Sequence, residues 1–265
     1  MSSTLFAPLS RLVSLRGRAL AAAGVLALCA ACGGGGAEGS GSEAAAPGPS
    51  QPARLASGDW VLMGSSTAAG AGASSGRSFA ALLAQGMGSG GMLAAQQGRL
   101  QNIALGGTTT YQGLPALSPR AVDRPASLPN NNLDKALSLK PALLIIAYPS
   151  NDTAMRYTVQ ETVSNILLMV QTAKQQGVPS IVLSTQPRDM LPALQEQLVQ
   201  IDAQLEAALG ACLVRVREAL AGPDGRIAPA YAFGDGVHLN DAGHALLHGA
   251  LLKRLQQGSC VRLAQ

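Results

Sequence analysis

From residue 55 onward, short apolar runs alternate with longer amphipathic stretches. The clearest run, 142–148, holds no polar residue before Tyr148, which is typical of a strand buried on both faces of a sheet. Further strands are predicted at 60–63, 100–105, 180–184 and 213–216, and helices at 78–85, 133–139, 158–176, 191–209 and 240–255. This alternation predicts a three-layer α/β/α domain in which helices cover both faces of a parallel sheet.

The first 31 residues have the pattern of an export signal. A basic stretch ends at Arg18, and the small and apolar residues 19–31 that follow form too short a run to span a bilayer. The segment ends in Ala30-Ala31-Cys32 before four glycines, which resembles a bacterial lipoprotein signal with Cys32 as the lipidated residue. Cys29 stands where such signals usually carry an aliphatic residue, so cleavage after Ala31 without lipidation stays open.

Residues 32–54 consist mostly of Gly, Ala, Ser and Pro, which cannot bury a core, and we expect a flexible linker there. Residues 55–265 then form one folded domain, for which the apolar content of the chain is sufficient. This organisation predicts a protein exported to the bacterial cell envelope. It would be lipid-anchored and face the periplasm or the cell surface, or else be periplasmic or secreted.

The charge of the chain indicates which class of partner to expect, and its cysteines indicate the cellular compartment. The net charge is +4, but Arg11, Arg16 and Arg18 lie in the signal segment, so the rest of the chain carries only +1. This balance does not favour a nucleic-acid partner. In an exported domain we expect Cys212 and Cys260 to form a disulfide, with two unpaired buried thiols as the alternative.

The first candidate catalytic residues follow the first predicted strand of the domain. Ser65 and Ser66 follow Gly64, at the sheet edge where open α/β folds place their sites. A serine hydroxyl becomes a good nucleophile only when a positioned base takes its proton. Asp235 and His238 lie three residues apart on a glycine-rich loop before the last helix, and they can supply that base and its partner.

Two further stretches follow predicted strands. Gly106-Gly107 permits a tight turn whose N–H groups point outward. Asn151 could aim its amide at a developing oxyanion, whereas Asp152 could instead cap the next loop. His244 and His248 lie four residues apart on the last helix, but no glutamate of a zinc motif stands between them, so we interpret both as structural.

In chain order, four stretches resemble the four sequence blocks of the SGNH (GDSL-like) hydrolases: Gly64-Ser65-Ser66, Gly107, Asn151-Asp152 and Asp235-Gly-Val-His238. The resemblance covers nearly all of 60–255. The resemblance implies a flavodoxin-like sheet in an α/β/α sandwich. Two positions depart from the family pattern. Ser65 replaces the aspartate of Gly-Asp-Ser, which leaves open which serine reacts, and Pro149 replaces a glycine in the third block.

The resemblance also implies roles for individual residues. Ser66 matches the nucleophile, and His238 with Asp235 completes the triad. The oxyanion hole would consist of the N–H groups of Ser66 and Gly107 together with the Asn151 side chain. No metal or cofactor is implied.

The function implied by the family is that of a serine esterase. Because no long apolar lid is evident, we expect short acyl esters, for instance O-acetyl groups on a glycan or a small ester. An acyltransferase of the same family is one alternative, and a non-catalytic, glycan-binding envelope lipoprotein is another. We expect the protein to be a monomer.

Overall fold

Parallel strands form the centre of the computed structural model, which describes residues 51–264. The strands are β1 (Ala53–Arg54), β2 (Trp60–Gly64), β3 (Leu100–Asn102), β4 (Leu143–Ala147), β5 (Ser180–Leu183), β6 (Leu213–Val214) and β7 (Val261–Arg262). Five of them form one parallel sheet in the order β3-β2-β4-β5-β6. The remaining two, β1 and β7, form a separate parallel pair.

Helices cover both faces of this sheet. They are α1 (Ser66–Ala69), α2 (Phe79–Met87), α3 (Thr110–Gly113), α4 (Leu133–Ser138), α5 (Asn151–Ala154), α6 (Val159–Gln175), α7 (Pro192–Leu209), α8 (Arg217–Leu220) and α9 (Asp241–Gln257). Short 3₁₀ turns lie at Ala94–Gln96 and Gly210–Cys212. The buried residues of α2 and α9 pack on one face, and those of α4, α6 and α7 pack on the other. This arrangement confirms the predicted α/β fold with a central parallel sheet.

Strand β2 shows why the sheet needs both layers of helices. Trp60 and Leu62 belong to the core beneath α2 and α9, whereas Val61 and Met63 belong to the core beneath α6 and α7. Successive residues of a strand point to opposite faces of the sheet. Because helices cover both faces, all four side chains are fully buried. An apolar run without alternation is therefore the correct pattern for this strand.

Side-chain caps mark the start of three of these helices. Ser78, Asn132 and Asn240 each accept a hydrogen bond from the backbone N–H three residues ahead, which satisfies a group that the first helical turn leaves unpaired. The structure departs from the prediction at the start of the domain. Ala53 and Arg54, assigned to the linker from sequence, form β1, and the neighbouring Leu55 is buried.

Three helices that the sequence pattern did not predict matter most for function. Helices α1, α3 and α5 have four residues each and come after the carboxyl ends of β2, β3 and β4. A single turn is too short to show the 3.6-residue periodicity on which a prediction depends. The carboxyl edge of the sheet therefore carries more ordered structure than the sequence indicates.

The predicted signal peptide, the lipidation site Cys32 and most of the predicted linker lie outside the described residues. All three remain predictions. Between residues 51 and 264, no helix combines the length and the hydrophobicity that crossing a membrane requires.

A disulfide joins Cys212 to Cys260 across a sequence separation of 48 residues, with Cα atoms 4.8 Å apart. It connects the turn before β6 to the segment before β7. A cross-link stabilises the folded state mainly by restricting the unfolded chain, and the restriction grows with the length of the closed loop.

We predict that replacing Cys212 and Cys260 with alanine lowers the free energy of unfolding by up to about 4 kcal/mol, the chain-entropy value for a loop of this length. Denaturant unfolding without reductant measures the loss. Reductant should destabilise the parent protein by a similar amount and leave the double variant unchanged. Two free thiols in the intact mass of the untreated protein would contradict the bridge.

Candidate active site

The site begins where β2 ends at Gly64. A Cβ atom at Gly64 would lie 2.1 Å from the carbonyl oxygen of Ala147, so only glycine fits between the ends of β2 and β4. The next residue, Ser65, donates its backbone N–H to the same oxygen at 3.1 Å. The chain then turns at once into α1, whose first residue is Ser66.

The two adjacent serines have different surroundings. Ser65 is 1% exposed, and its hydroxyl has no hydrogen-bond partner within residues 51–264. Ser66 is only partly buried and starts a helix at the sheet edge. Of the two hydroxyls, the one that a substrate can reach is therefore that of Ser66.

The loop after β3 lies against Ser66. A Cβ atom on Gly106 would approach the Ser66 Cβ to 3.7 Å, while one on Gly107 would meet open space. Gly107 has a φ of +80°, a conformation that favours glycine. In the part of the chain that the structure describes, the N–H groups of Ser66 and Gly107 donate no hydrogen bond. Both are thus available to an oxygen atom of a ligand.

The residues after β4 hold that loop in place. Asn151 donates its side-chain N–H to the Thr108 carbonyl at 2.8 Å. Asp152 accepts hydrogen bonds from the backbone N–H of Thr110, at 3.0 Å, and from the Thr110 hydroxyl. Asn165 donates to the same hydroxyl at 2.9 Å. Asp152 therefore caps the start of α3, which comes before it in the chain, and not the next loop as expected from sequence.

The loop before α9 brings Asp235 and His238 together. One carboxylate oxygen of Asp235 lies 2.6 Å from His238 Nδ1, and the other accepts the backbone N–H groups of His238 and Val237 at 2.8 and 2.9 Å. Partial burial opposes ionisation of Asp235, but these donors lower its pKa to about 2. The carboxylate is therefore charged at neutral pH, and it fixes the ring with Nε2 directed away from it.

This loop lies against the segment that follows Ser66. A Cβ atom on Gly72 would lie 3.0 Å from the His238 Cβ, so the small residues after Ser66 allow the histidine loop to approach. Within the described contacts no hydrogen bond joins Ser66 to His238. In unliganded enzymes such catalytic hydrogen bonds often form only when substrate binds.

The sequence comparison agrees with this geometry. A model of the GDSL-like lipase/acylhydrolase family matches residues 62–246. The chain belongs to this family. It is accordingly an ester-bond hydrolase, and the resemblance noted from the sequence blocks is confirmed. A search of curated proteins gave no match.

Solved structures of other hydrolases share the fold. A GDSL-like lipase from Bacteroides thetaiotaomicron has 18% identity and a TM-score of 0.54, over 76% of this chain and 88% of that one. An acetyl xylan esterase from Geobacillus stearothermophilus has 16% identity and a TM-score of 0.57, over 76% and 95%. A second acetyl xylan esterase, AlAXEase, has 15% identity and a TM-score of 0.56, over 74% and 98%.

Two residues of this hydrolase that sequence analysis missed connect the parts of the site. Gln186 is buried in the loop after β5, where it accepts from the Thr67 hydroxyl and donates to the Val237 carbonyl, both at 2.8 Å. It thereby links the neighbour of Ser66 to the neighbour of His238. Arg188 donates to Asn151 Oδ1 at 3.0 Å. The sequence signal for Gln186 and Arg188 is their position just after the predicted strand 180–184, at the edge of the sheet where a site is expected.

The two remaining histidines of the hydrolase lie on α9. His244 is fully buried, accepts the Phe79 N–H at Nδ1 (3.3 Å) and contacts the Ala71 carbonyl through Nε2 (3.0 Å). Burial lowers the pKa of both His244 and His248. His244 therefore holds the loop after α1 against the start of α2.

An open cavity of about 430 Å³ lies beside Gly107. Its wall is held by Arg124, which pairs with Glu161 at 2.7 Å and stacks over the Tyr157 ring at 4.3 Å. The lining combines polar, charged and apolar side chains and includes Thr109, Gln112, Val122, Asp123 and Met155. The cavity adjoins the glycine loop through Gly107 and Thr109.

We predict that Asp152 makes stability depend on pH. Burial raises its pKa to about 6, although the two donors of Thr110 oppose the shift. The folded protein therefore binds this proton more tightly than the unfolded chain does. The protonated Asp152 therefore contributes about 3 kcal/mol to the free energy of unfolding. This contribution is fully present below about pH 4 and is lost as pH rises through about 6.

The measurement compares the parent protein with Asp152→Asn by urea unfolding at several pH values between 4 and 7. The parent should lose stability relative to the variant as pH rises through this window. A constant difference between the two across the window would contradict the shifted pKa.

Proposed function

We propose that this hydrolase is a serine esterase with Ser66 as nucleophile and His238, held by Asp235, as general base. The observation that carries the proposal is the 2.6 Å contact between the Asp235 carboxylate and His238 Nδ1, on a loop that closely approaches Gly72 in the segment after Ser66. A charged carboxylate at Nδ1 keeps the proton there. The free Nε2 is then ready to accept the serine proton.

The proposed reaction proceeds in two halves. Ser66 Oγ attacks the ester carbonyl as His238 takes its proton, and the tetrahedral intermediate collapses when His238 returns that proton to the leaving alcohol. Water then attacks the acyl-enzyme by the same proton route and releases the acid. The negative oxygen of each intermediate would be held by the N–H groups of Ser66 and Gly107 and by the amide of Asn151.

For the substrate we propose short acyl esters, in particular O-acetyl groups on a glycan. The cavity beside Gly107 supports this choice through Thr109, Gln112, Asp123 and Arg124, which bring hydroxyl, amide and charged groups to a lining that is otherwise mostly apolar. These groups can form hydrogen bonds with a hydroxylated leaving group. The two acetyl xylan esterases that share the fold act on a substrate of this class.

We predict that Ser66→Ala lowers turnover of an aryl acetate on the order of a millionfold, because the nucleophile is lost. Ser65→Ala is the matched control. Its hydroxyl makes no described hydrogen bond, so this variant should keep turnover within about threefold of the parent value. Aryl esters of graded chain length should show the highest kcat/KM for acetate.

Covalent labelling separates the possible outcomes. A serine-directed phosphonate should add its mass to the peptide that carries Ser66, and only when His238 is present.

The activities of the two serine variants decide between the alternatives. An inactive Ser65→Ala beside an active Ser66→Ala would move the nucleophile by one residue. Full activity in both variants would remove serine catalysis from this site. Acetyl transfer to an added sugar, in place of acetate release, would assign the acyltransferase alternative.

We further propose that the protein is anchored in the cell envelope through a lipid on Cys32. The supporting observation is the Ala-Ala-Cys32 junction followed by a stretch of small residues. We predict that labelled fatty acid is incorporated into the parent protein in a bacterial host and not into Cys32→Ala. Several acyl chains hold a protein firmly, so the variant should also leave the membrane fraction. Equal labelling of both proteins would refute the lipid site.

A further inference from the structure

Arg188 is a charged residue at the candidate active site, and its hydrogen-bond partner, Asn151, is neutral. Its side chain is half-buried, and Nη1 donates to Asn151 Oδ1 at 3.0 Å. Among the described contacts it forms no direct ion pair, although it lies close enough to Asp235 to be attracted by that carboxylate. Placing a charge away from water is costly, so this position calls for a functional reason.

The contacts of Asn151 determine how its amide is oriented. The Thr108 carbonyl can only accept a hydrogen bond, and the Arg188 guanidinium can only donate. If the amide turned over, its oxygen would face a carbonyl and its NH₂ group would face a cation. The Nδ2 atom is thus kept on the Thr108 side, and its second hydrogen has no partner within residues 51–264.

We propose that Arg188 is a positioning residue that orients and polarises Asn151 for the oxyanion, an inference that rests on the proposed esterase mechanism. A charged donor on Oδ1 draws electron density from the amide and makes the Nδ2–H groups stronger donors. Negative charge on the substrate oxygen grows only toward the transition state. Arg188 therefore acts on kcat and leaves KM nearly unchanged.

Two other roles for Arg188 would have different signatures. Direct contact with an anionic group of the substrate would raise KM for esters that carry such a group and leave neutral esters unaffected. Action through Asp235 would change the acidic limb of the pH–rate profile, because that limb reports the general base. Neither of these effects would depend on the side chain at position 151.

A double-mutant cycle tests the proposal on the full chain with a neutral aryl acetate. Arg188→Met should lower kcat about tenfold to a hundredfold, somewhat less than the loss of an oxyanion donor, while KM changes by less than about threefold. In an Asn151→Ala background the same substitution should change kcat by less than about twofold. Arg188→Lys, which keeps the charge, should recover part of the loss.

The matched control is Arg226→Met. This substitution removes the same charge from a nearby surface position, where Arg226 pairs with Asp189 at 3.2 Å and with Asp224 at 3.8 Å. It should retain the parent kcat. A comparable loss in this variant would mean that general electrostatics cause the effect, and the proposal would be wrong. Arg188→Gln repeats the cycle if Arg188→Met does not fold.

A second readout does not depend on catalysis. The side-chain amide resonance of Asn151, identified by its absence in Asn151→Ala, should shift in Arg188→Met and return toward the parent position in Arg188→Lys. An unchanged resonance, an equal kcat loss in both backgrounds, or an effect on KM alone would each overturn the proposal. A parent protein without esterase activity would refute the proposed function instead, and the resonance would still decide whether Arg188 orients Asn151.

Discussion

The close approach of β2 and β4 at Gly64 is the constraint on which the rest of the site depends. With no side chain at this position, the carbonyl of Ala147 accepts the Ser65 N–H, and the chain turns directly into α1. This turn presents Ser66 at the carboxyl edge of the sheet, next to Asn151 at the end of β4. In open α/β folds of this strand order, that is the point where the chain direction around the sheet reverses and clefts form.

The site is assembled from loops that hold one another. Asn151 and Asp152 fix the glycine loop after β3, and Gln186 joins the Ser66 segment to the histidine loop. Several of these contacts are buried, where a hydrogen bond between polar groups is strong and an unpaired group is costly. The hydrolase therefore gains a fixed site without placing its reactive side chains on long helices, and disturbing one loop affects the others.

The strands and the longer helices could be predicted because their apolar residues repeat with a clear period over many positions. Candidate site residues could be selected from sequence where chemistry restricts the residue type, as for the proposed triad of Ser66, Asp235 and His238, and the structure brings the last two into contact. Gln186 and Arg188 could not, since a polar residue in a loop has the same appearance whether it faces solvent or binds a neighbouring loop. The proposal of Ser66 in place of Ser65 as nucleophile also rests on coordinates, because only burial separates the two adjacent hydroxyls.

The unpaired hydroxyl of Ser65 has a consequence for engineering by family consensus. Related hydrolases usually carry aspartate at this position, which would make Ser65→Asp the natural choice for restoring the family sequence. Here the side chain is enclosed, and the described surroundings offer its oxygen no donor. A carboxylate would be buried there without compensation, which costs several kcal/mol or forces it to stay protonated. In this protein the consensus residue and the local structure are incompatible, so aspartate can be introduced at position 65 only together with changes to its neighbours.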